Sequence, residues 1–134
     1  MTTAPSLFAR IAPQSVQPLR GMTEDDVRVA ARDAGDHFRA IDCASCTCRA
    51  DVFAQLALGL GLPPHFGGNL DALYDSLTDL PHSPSRGWTI VIHHVPLLRD
   101  FDQEEREALM DVFRDAAEFY AEEGGAFRVF FTLG

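Results

Sequence analysis

The chain has 134 residues, of which 46% are hydrophobic and 23% charged, proportions that are typical of a single globular domain with a core of its own. Its formal net charge of −9 argues against a nucleic-acid-binding protein and favours a positively charged protein partner. No apolar run approaches the ~18 residues of a membrane helix, and no secretory signal is visible, so we expect a cytoplasmic protein without a membrane partner.

The first 36 residues are weakly patterned, and we interpret residues 1–36 as an N-terminal extension packed on a main domain of residues 37–134. Prolines interrupt short apolar pieces, one of which, residues 7–11, predicts a short strand. Thr23 precedes three acidic residues and predicts a helix start, while Gly35 is suited to end the helix. The extension is therefore predicted to be helical.

A cysteine-containing turn lies between a predicted strand, Phe38–Asp42, and a helix predicted over Arg49–Leu60. Cys43, Cys46 and Cys48 offer three thiolates, but a structural zinc site needs four ligands and no second cysteine pair is present. The candidates for a fourth ligand are His37, His65 and His82. Cysteine also suits a short strand-to-helix turn, and a reducing compartment disfavours a disulfide. We therefore expect no metal and no cofactor.

The stretch from Leu62 to Leu80 is predicted to be a rigid loop that leads into a helix. Two prolines fix φ in the loop, two glycines permit turns, and Asn69 is suited to cap the helix. Leucines recur at helical spacing and predict one buried stripe, formed by Leu70, Leu73, Leu77 and Leu80.

Asp71 and Asp75 lie away from this stripe and one turn apart, so their carboxylates share one face of the helix. A like-charge pair at this spacing costs about 0.2–0.5 kcal/mol. Because the cap and the leucine stripe of this helix otherwise favour stability, a face that carries a destabilising pair of like charges is a candidate functional face. On helical geometry alone, a solvated acidic surface remains an equal alternative.

Strands and helices continue to alternate towards the C-terminus. Trp88–Ile92 is a β-branched run that predicts a strand covered on both faces, and Phe127–Leu133 predicts a final buried strand. Between them, Asp102–Glu123 predicts a long helix. Its acidic face comprises Asp111, Asp115, Glu118 and Glu122. Strands separated by helices predict an α/β fold with a parallel sheet.

Residues 63–78 resemble a segment of the barstar family, the intracellular inhibitors of the ribonuclease barnase. The family pattern is a proline, a short aromatic loop, a glycine, any residue, Asn-Leu-Asp-Ala-Leu, an aromatic residue, Asp, any residue and Leu-Thr. Here it reads Pro63, His65-Phe66, Gly67-Gly68, Asn69-Leu70-Asp71-Ala72-Leu73, Tyr74, Asp75-Ser76 and Leu77-Thr78. The resemblance continues more loosely from about Phe38 to the C-terminus. It implies a small three-stranded parallel sheet flanked by helices, here with the N-terminal helical extension.

The resemblance also implies a function. The protein would inhibit a barnase-like ribonuclease by placing in its active site an acidic helix and loop that mimic RNA phosphate. Asp75 would be the central inserted carboxylate and Asp71 its neighbour, while Asp115 matches a family glutamate that pairs with an enzyme arginine. The other predicted partner-binding residues are His65, Phe66, Gly67, Gly68, Asn69, Tyr74 and Thr78.

Besides Asp115, which replaces a glutamate, three more positions depart from the family. Tyr74 takes the place of a tryptophan, His65 of a loop tyrosine, and Gly68 of a glutamate. Because binding hot spots favour tryptophan and tyrosine anchors, these differences leave the target nuclease open. We expect a monomeric, non-enzymatic immunity protein whose partner is a basic ribonuclease and not a nucleic acid.

Two alternatives remain at this point. The chain is either a barstar-like scaffold that binds another basic protein, or a metal-dependent enzyme that uses the cysteine turn with His93 and His94. The two histidines follow the Trp88–Ile92 strand and point in opposite directions if extended, so strand-end polar residues are the better interpretation.

Overall fold

The structure is a computed structural model that describes residues 7–63 and 68–134. In chain order, its elements are a 3-10 helix (Leu7–Arg10), β1 (Gln14–Pro18), α1 (Glu24–Ala34), β2 (His37–Asp42), α2 (Arg49–Leu60), α3 (Leu70–Thr78), β3 (Trp88–Val95), α4 (Gln103–Glu123) and β4 (Phe127–Leu133). In the described ranges, no helix combines the length and apolarity needed to cross a membrane.

The described strands form one parallel sheet in the order β1-β4-β3-β2. The α/β class and the parallel sheet are confirmed, but the prediction of three strands is wrong because β1 adds a fourth. β1 pairs with β4 from Gln14 opposite Phe127 to Pro18 opposite Phe131. Pro18 has no N–H to donate, which is tolerated at the end of an edge strand.

The two faces of the sheet are covered by different helices, because successive side chains of a strand point to opposite sides. On one face, Ile90 and Ile92 of β3 join Val129 of β4 in the core beneath α2, α3 and α4. On the other face, Val91 and Phe130 pack with α1 and the 3-10 helix. The first face carries the larger core and positions the candidate site.

The N-terminal segment differs in part from the prediction. Residues 7–11 form no strand: Leu7–Arg10 is a 3-10 helix, in which Phe8 is buried and its ring lies 6.2 Å from that of Phe130. The predicted α1 is confirmed. Thr23 and Asp26 form a reciprocal capping box, and Gly35 ends the helix at a φ of +79°.

A buried ion pair joins the end of this segment to the sheet. Arg128 Nη1 lies 3.4 Å from Asp36 Oδ2, and the two side chains are only 9% and 4% exposed. The other carboxylate oxygen of Asp36 accepts a hydrogen bond from the backbone N–H of Gly87. The Arg128 guanidinium stacks over Phe8 at 4.2 Å, so groups from both ends of the chain meet at one point.

The remaining elements match the predicted pattern closely. α2 and β4 have the predicted bounds, and α4 begins one residue later than predicted because Asp102 is its N-cap. β3 is longer than predicted, so His93 and His94 lie within the strand and not beyond it. The strand pairing is irregular there, and His94 has a φ of +58°.

Candidate functional site

α3 is fixed at both ends and presents one face to solvent. Asn69 caps it as predicted, since its Oδ1 accepts a hydrogen bond from the Ala72 N–H at 2.8 Å. Leu73 and Leu77 are fully buried against the core. The hydroxyl of Tyr120 on α4 donates to the Leu77 carbonyl at 2.8 Å, which ties the two helices together. The orientation of the exposed face is therefore set by buried contacts.

Asp71 and Asp75 occupy that exposed face. Both residues are exposed, and in the described part of the chain neither carboxylate has an ion-pair or hydrogen-bond partner. The helix dipole favours the charge of Asp71 in the first turn but does less for Asp75. The pair is thus left uncompensated on a rigid helix.

The face opens into a cleft of about 650 Å³ between α3 and α4. The cleft is lined by Leu70, Asp71, Tyr74, Asp75, Val112, Asp115, Glu118, Phe119 and Glu122. Of the predicted set, the fold brings Asp71, Tyr74, Asp75 and Asp115 together here. Glu118, Phe119 and Glu122 join them on the α4 side, although the sequence had not singled them out as binding residues.

Of the other predicted partner-binding residues, the structure describes Gly68, Asn69 and Thr78, and none of these three lines the cleft. His65, Phe66 and Gly67 fall outside the described residues. Gly68 is half-buried at the start of α3, with a φ of +66°. The Thr78 hydroxyl donates to the backbone carbonyls of Tyr74 and Asp75, so it is bound to its own helix and does not line the cleft.

Arg49 is a positioning residue that sequence reasoning missed. Its guanidinium donates to the Gly68 carbonyl at 3.5 Å and pairs with Glu105 of α4 at 3.1 Å. Its backbone N–H donates to Asp100 at 2.7 Å, and its guanidinium lies 4.6 Å from the centre of the Phe53 ring. Through these contacts the start of α2 supports the segment that leads into α3. No local pattern predicts contacts between positions so distant in sequence.

The cysteines of the turn are largely buried in the structure. Cys43 and Cys46 are buried at 1% and 7% exposure, and burial raises the pKa of the Cys43 thiol to about 12, with Cys46 adding to the effect. Within the described ranges, no group of three His, Cys, Asp or Glu side chains is placed to hold a metal ion. His93 instead pairs with Glu24 of α1 at 2.7 Å.

Comparison with known families identifies the fold. A family model described as barstar, the barnase inhibitor, matches residues 36–132. The match covers β2 and all of the elements that build the cleft, and it leaves out β1 and α1. No curated protein matches the chain in sequence. The family resemblance found in residues 63–78 is thus confirmed.

Proposed function

The chain belongs to the barstar family, and on that premise we propose that it inhibits a barnase-like ribonuclease by filling the nuclease active site with the carboxylates of the α3–α4 cleft. Its role would be that of an immunity protein that protects the cell in which it is made. The family is one of inhibitors, so the chain is not an enzyme.

The observation that carries the proposal is the unpaired acidic face of the cleft. Asp71, Asp75 and Asp115 line it together, and no arginine or histidine of the described residues neutralises them. A ribonuclease active site must bind a polyanion and therefore presents Arg, Lys and His side chains. Fixed carboxylates can occupy such a site because charge-assisted Arg–carboxylate bonds are short and directional. A basic nuclease would supply the positive charges that these three carboxylates lack within the described part of the chain.

The rigidity of α3 supports the same proposal. An inhibitor gains affinity when its binding groups are held in place before association, because less conformational entropy is lost. The Asn69 cap and the Tyr120–Leu77 hydrogen bond hold the helix that carries Asp71 and Asp75. The predicted role of residues 65–67 as a binding loop remains a proposal from the resemblance.

The test is inhibition of RNA cleavage by barnase and by any ribonuclease encoded beside the gene for this chain. We expect one-to-one inhibition that a non-hydrolysable dinucleotide competes away, since both ligands need the same active site. Failure to inhibit either enzyme at micromolar concentration would contradict the proposal. The chain would then be a barstar-like scaffold for another basic protein, an alternative to which the departures at Tyr74, His65 and Gly68 point.

A further inference from the structure

We propose that Cys43 and Cys46 are a redox-sensitive site and form a reversible disulfide when the protein meets hydrogen peroxide. The site lies in the turn between β2 and α2. Neither cysteine lines the α3–α4 cleft, so the proposal does not depend on the proposed function.

The backbone brings the two cysteines together in one tight turn. The Cys46 N–H donates to the Cys43 carbonyl at 3.1 Å, which closes a turn of four residues. The Cα atoms at the ends of such a turn lie less than about 7 Å apart, and a disulfide spans Cα atoms about 4.4–6.8 Å apart. The Cys43 N–H donates to the His93 carbonyl of β3 at 2.9 Å. The turn is therefore anchored to the sheet in a shape that suits a disulfide.

The two cysteine side chains leave the turn on the same side. Cys43 and Cys46 are both buried in the main core, whereas Ala44 and Ser45 between them are exposed. The Cys43 thiol donates a hydrogen bond to the Cys46 sulfur. A disulfide would replace a contact that already joins the two sulfurs, so it needs little movement of the backbone.

The direction of this hydrogen bond gives the two thiols different roles. Burial raises the pKa of both and keeps them protonated. At Cys46, the hydrogen bond from Cys43 opposes the effect of burial on the pKa, because it stabilises a negative charge on the Cys46 sulfur. Cys46 is also the more exposed of the two residues. Cys46 is therefore the thiol that attacks the oxidant, and Cys43 completes the disulfide.

The reaction has two steps and consumes one molecule of peroxide. The Cys46 thiolate attacks an oxygen of hydrogen peroxide, so that an S–O bond forms and the O–O bond breaks. The hydroxide that leaves takes the proton lost by the Cys46 thiol and becomes water. The Cys43 sulfur then attacks the resulting sulfenic acid: the S–S bond forms, the S–O bond breaks, and the leaving hydroxide takes the Cys43 proton as a second water. Two thiols are oxidised to a disulfide while the peroxide is reduced to water.

The experiment uses the full chain with Cys48→Ser, which removes the third and most exposed thiol. The folded protein is treated with hydrogen peroxide, denatured, alkylated with iodoacetamide and digested. Trypsin releases both remaining cysteines in one peptide, residues 40–49, because it cleaves after Arg39 and Arg49. Cys46→Ala in the same background is the matched control, since a single thiol cannot form an internal disulfide. Circular dichroism shows that both variants are folded.

We expect the peptide from the oxidised Cys48→Ser protein to be unalkylated and lighter by two hydrogens than the reduced peptide. Dithiothreitol should restore two alkylated cysteines. In the control, the buried Cys43 should lose its free thiol at least about tenfold more slowly, because its thiolate is disfavoured. In the unsubstituted chain, the cysteine that remains open to alkylation after oxidation should be Cys48.

Three results would overturn the proposal. If both cysteines are still alkylated after a peroxide treatment that oxidises free cysteine, the two thiols only pack against each other. If Cys46 accumulates as sulfinic acid without a disulfide, the Cys43 sulfur does not reach it. If oxidation of the unsubstituted chain leaves Cys43 or Cys46 open to alkylation and blocks Cys48, the pairing is different from the one that the turn favours.

Discussion

Asp75 is exposed, and its carboxylate has no ion-pair or hydrogen-bond partner among the residues that the structure describes. Such a position adds little to stability but suits a binding residue. Its carboxylate projects from the middle of α3 into the cleft, beside Tyr74. We expect Asp75→Ala to weaken the nuclease complex by about 2 kcal/mol or more, the size that defines a hot spot. Calorimetric titration measures the loss.

Asp79→Ala is the matched control for this prediction. Asp79 is also exposed and acidic, and lies one turn further along at the C-cap of α3, outside the cleft. The control should leave affinity nearly unchanged, because its charge acts only at long range through solvent. If both substitutions lowered the affinity equally, binding would depend on the net charge of the surface and not on the position of Asp75.

The three cysteines should differ sharply in reactivity. The thiolate is the reactive form, and burial opposes its formation at Cys43, whose pKa is raised, and at Cys46. Cys48 is more exposed than either. At pH 8 we expect iodoacetamide to label Cys48 in the folded protein, and the other two only in denaturant, as measured by peptide mass spectrometry. Rapid labelling of Cys43 in the folded state would contradict the buried position of the turn.

At the scale of elements, sequence pattern predicted those segments whose burial is periodic. α3 is one example, because its cap and its leucines stand at the spacing that one buried face requires. β1 was missed, since Gln14–Pro18 contains one apolar side chain large enough to signal a core position, Val16, and ends in proline. An edge strand is held by pairing with one neighbour, and that pairing depends on β4, more than 100 residues away.

In the candidate site too, the features set by local spacing were predicted and those set by contacts between distant segments were not. Helical spacing placed Asp71 and Asp75 on one face, and the acidic face of α4 was also visible from its spacing. What the sequence does not contain is the packing of α3 against α4 through Tyr120 and Leu77. That contact joins the two acidic faces into one cleft. The resemblance supplied Asp115 for the site, whereas Glu118 and Glu122 emerged only with the packing.

The junction between the N-terminal segment and the sheet depends on Asp36. Removing one partner of a buried ion pair leaves the other charge uncompensated, so we expect Asp36→Ala to lower the free energy of unfolding by about 3 kcal/mol. Burial already lowers the pKa of Arg128, and Asp36 opposes that shift. The exposed Asp33, near the end of α1, is the control, and Asp33→Ala should stay within about 0.5 kcal/mol of the unsubstituted protein. Urea unfolding measures both, and a mild effect of Asp36→Ala would show that Arg128 is hydrated.

For the whole molecule, the net charge of −9 predicts how fast a basic partner is found. From His37 onward the chain carries a net charge of −8, so the field belongs almost entirely to the part that bears the cleft. Raising the ionic strength shortens the screening length from about 10 Å at 0.1 M to about 3 Å at 1 M. Stopped-flow association with the nuclease should therefore slow steeply with salt while dissociation changes little. A salt-independent association rate would contradict electrostatic steering.

The N-terminal segment lies outside the region that the family model matches. We propose that its β1 and α1 are nevertheless an integral part of the domain. Val91 and Phe130 are fully buried beneath α1 and the 3-10 helix, so deleting residues 1–35 would expose them together with the edge of β4. Full burial of each such side chain contributes about 1.5–3 kcal/mol. We expect the truncated chain to melt at a markedly lower temperature and to bind a hydrophobic dye.

Inhibition should survive a loosening of α1, because the cleft lies with α3 and α4 on the opposite side of the sheet from α1. Val27→Ala tests the point without deletion: Val27 is fully buried in α1, and the substitution should lower stability while leaving the inhibition constant unchanged. If Val27→Ala weakens inhibition in protein that is still folded, the extension takes part in binding. If the truncated chain is as stable as the full chain, the extension is an independent appendage, and the second face of the sheet does not need its cover.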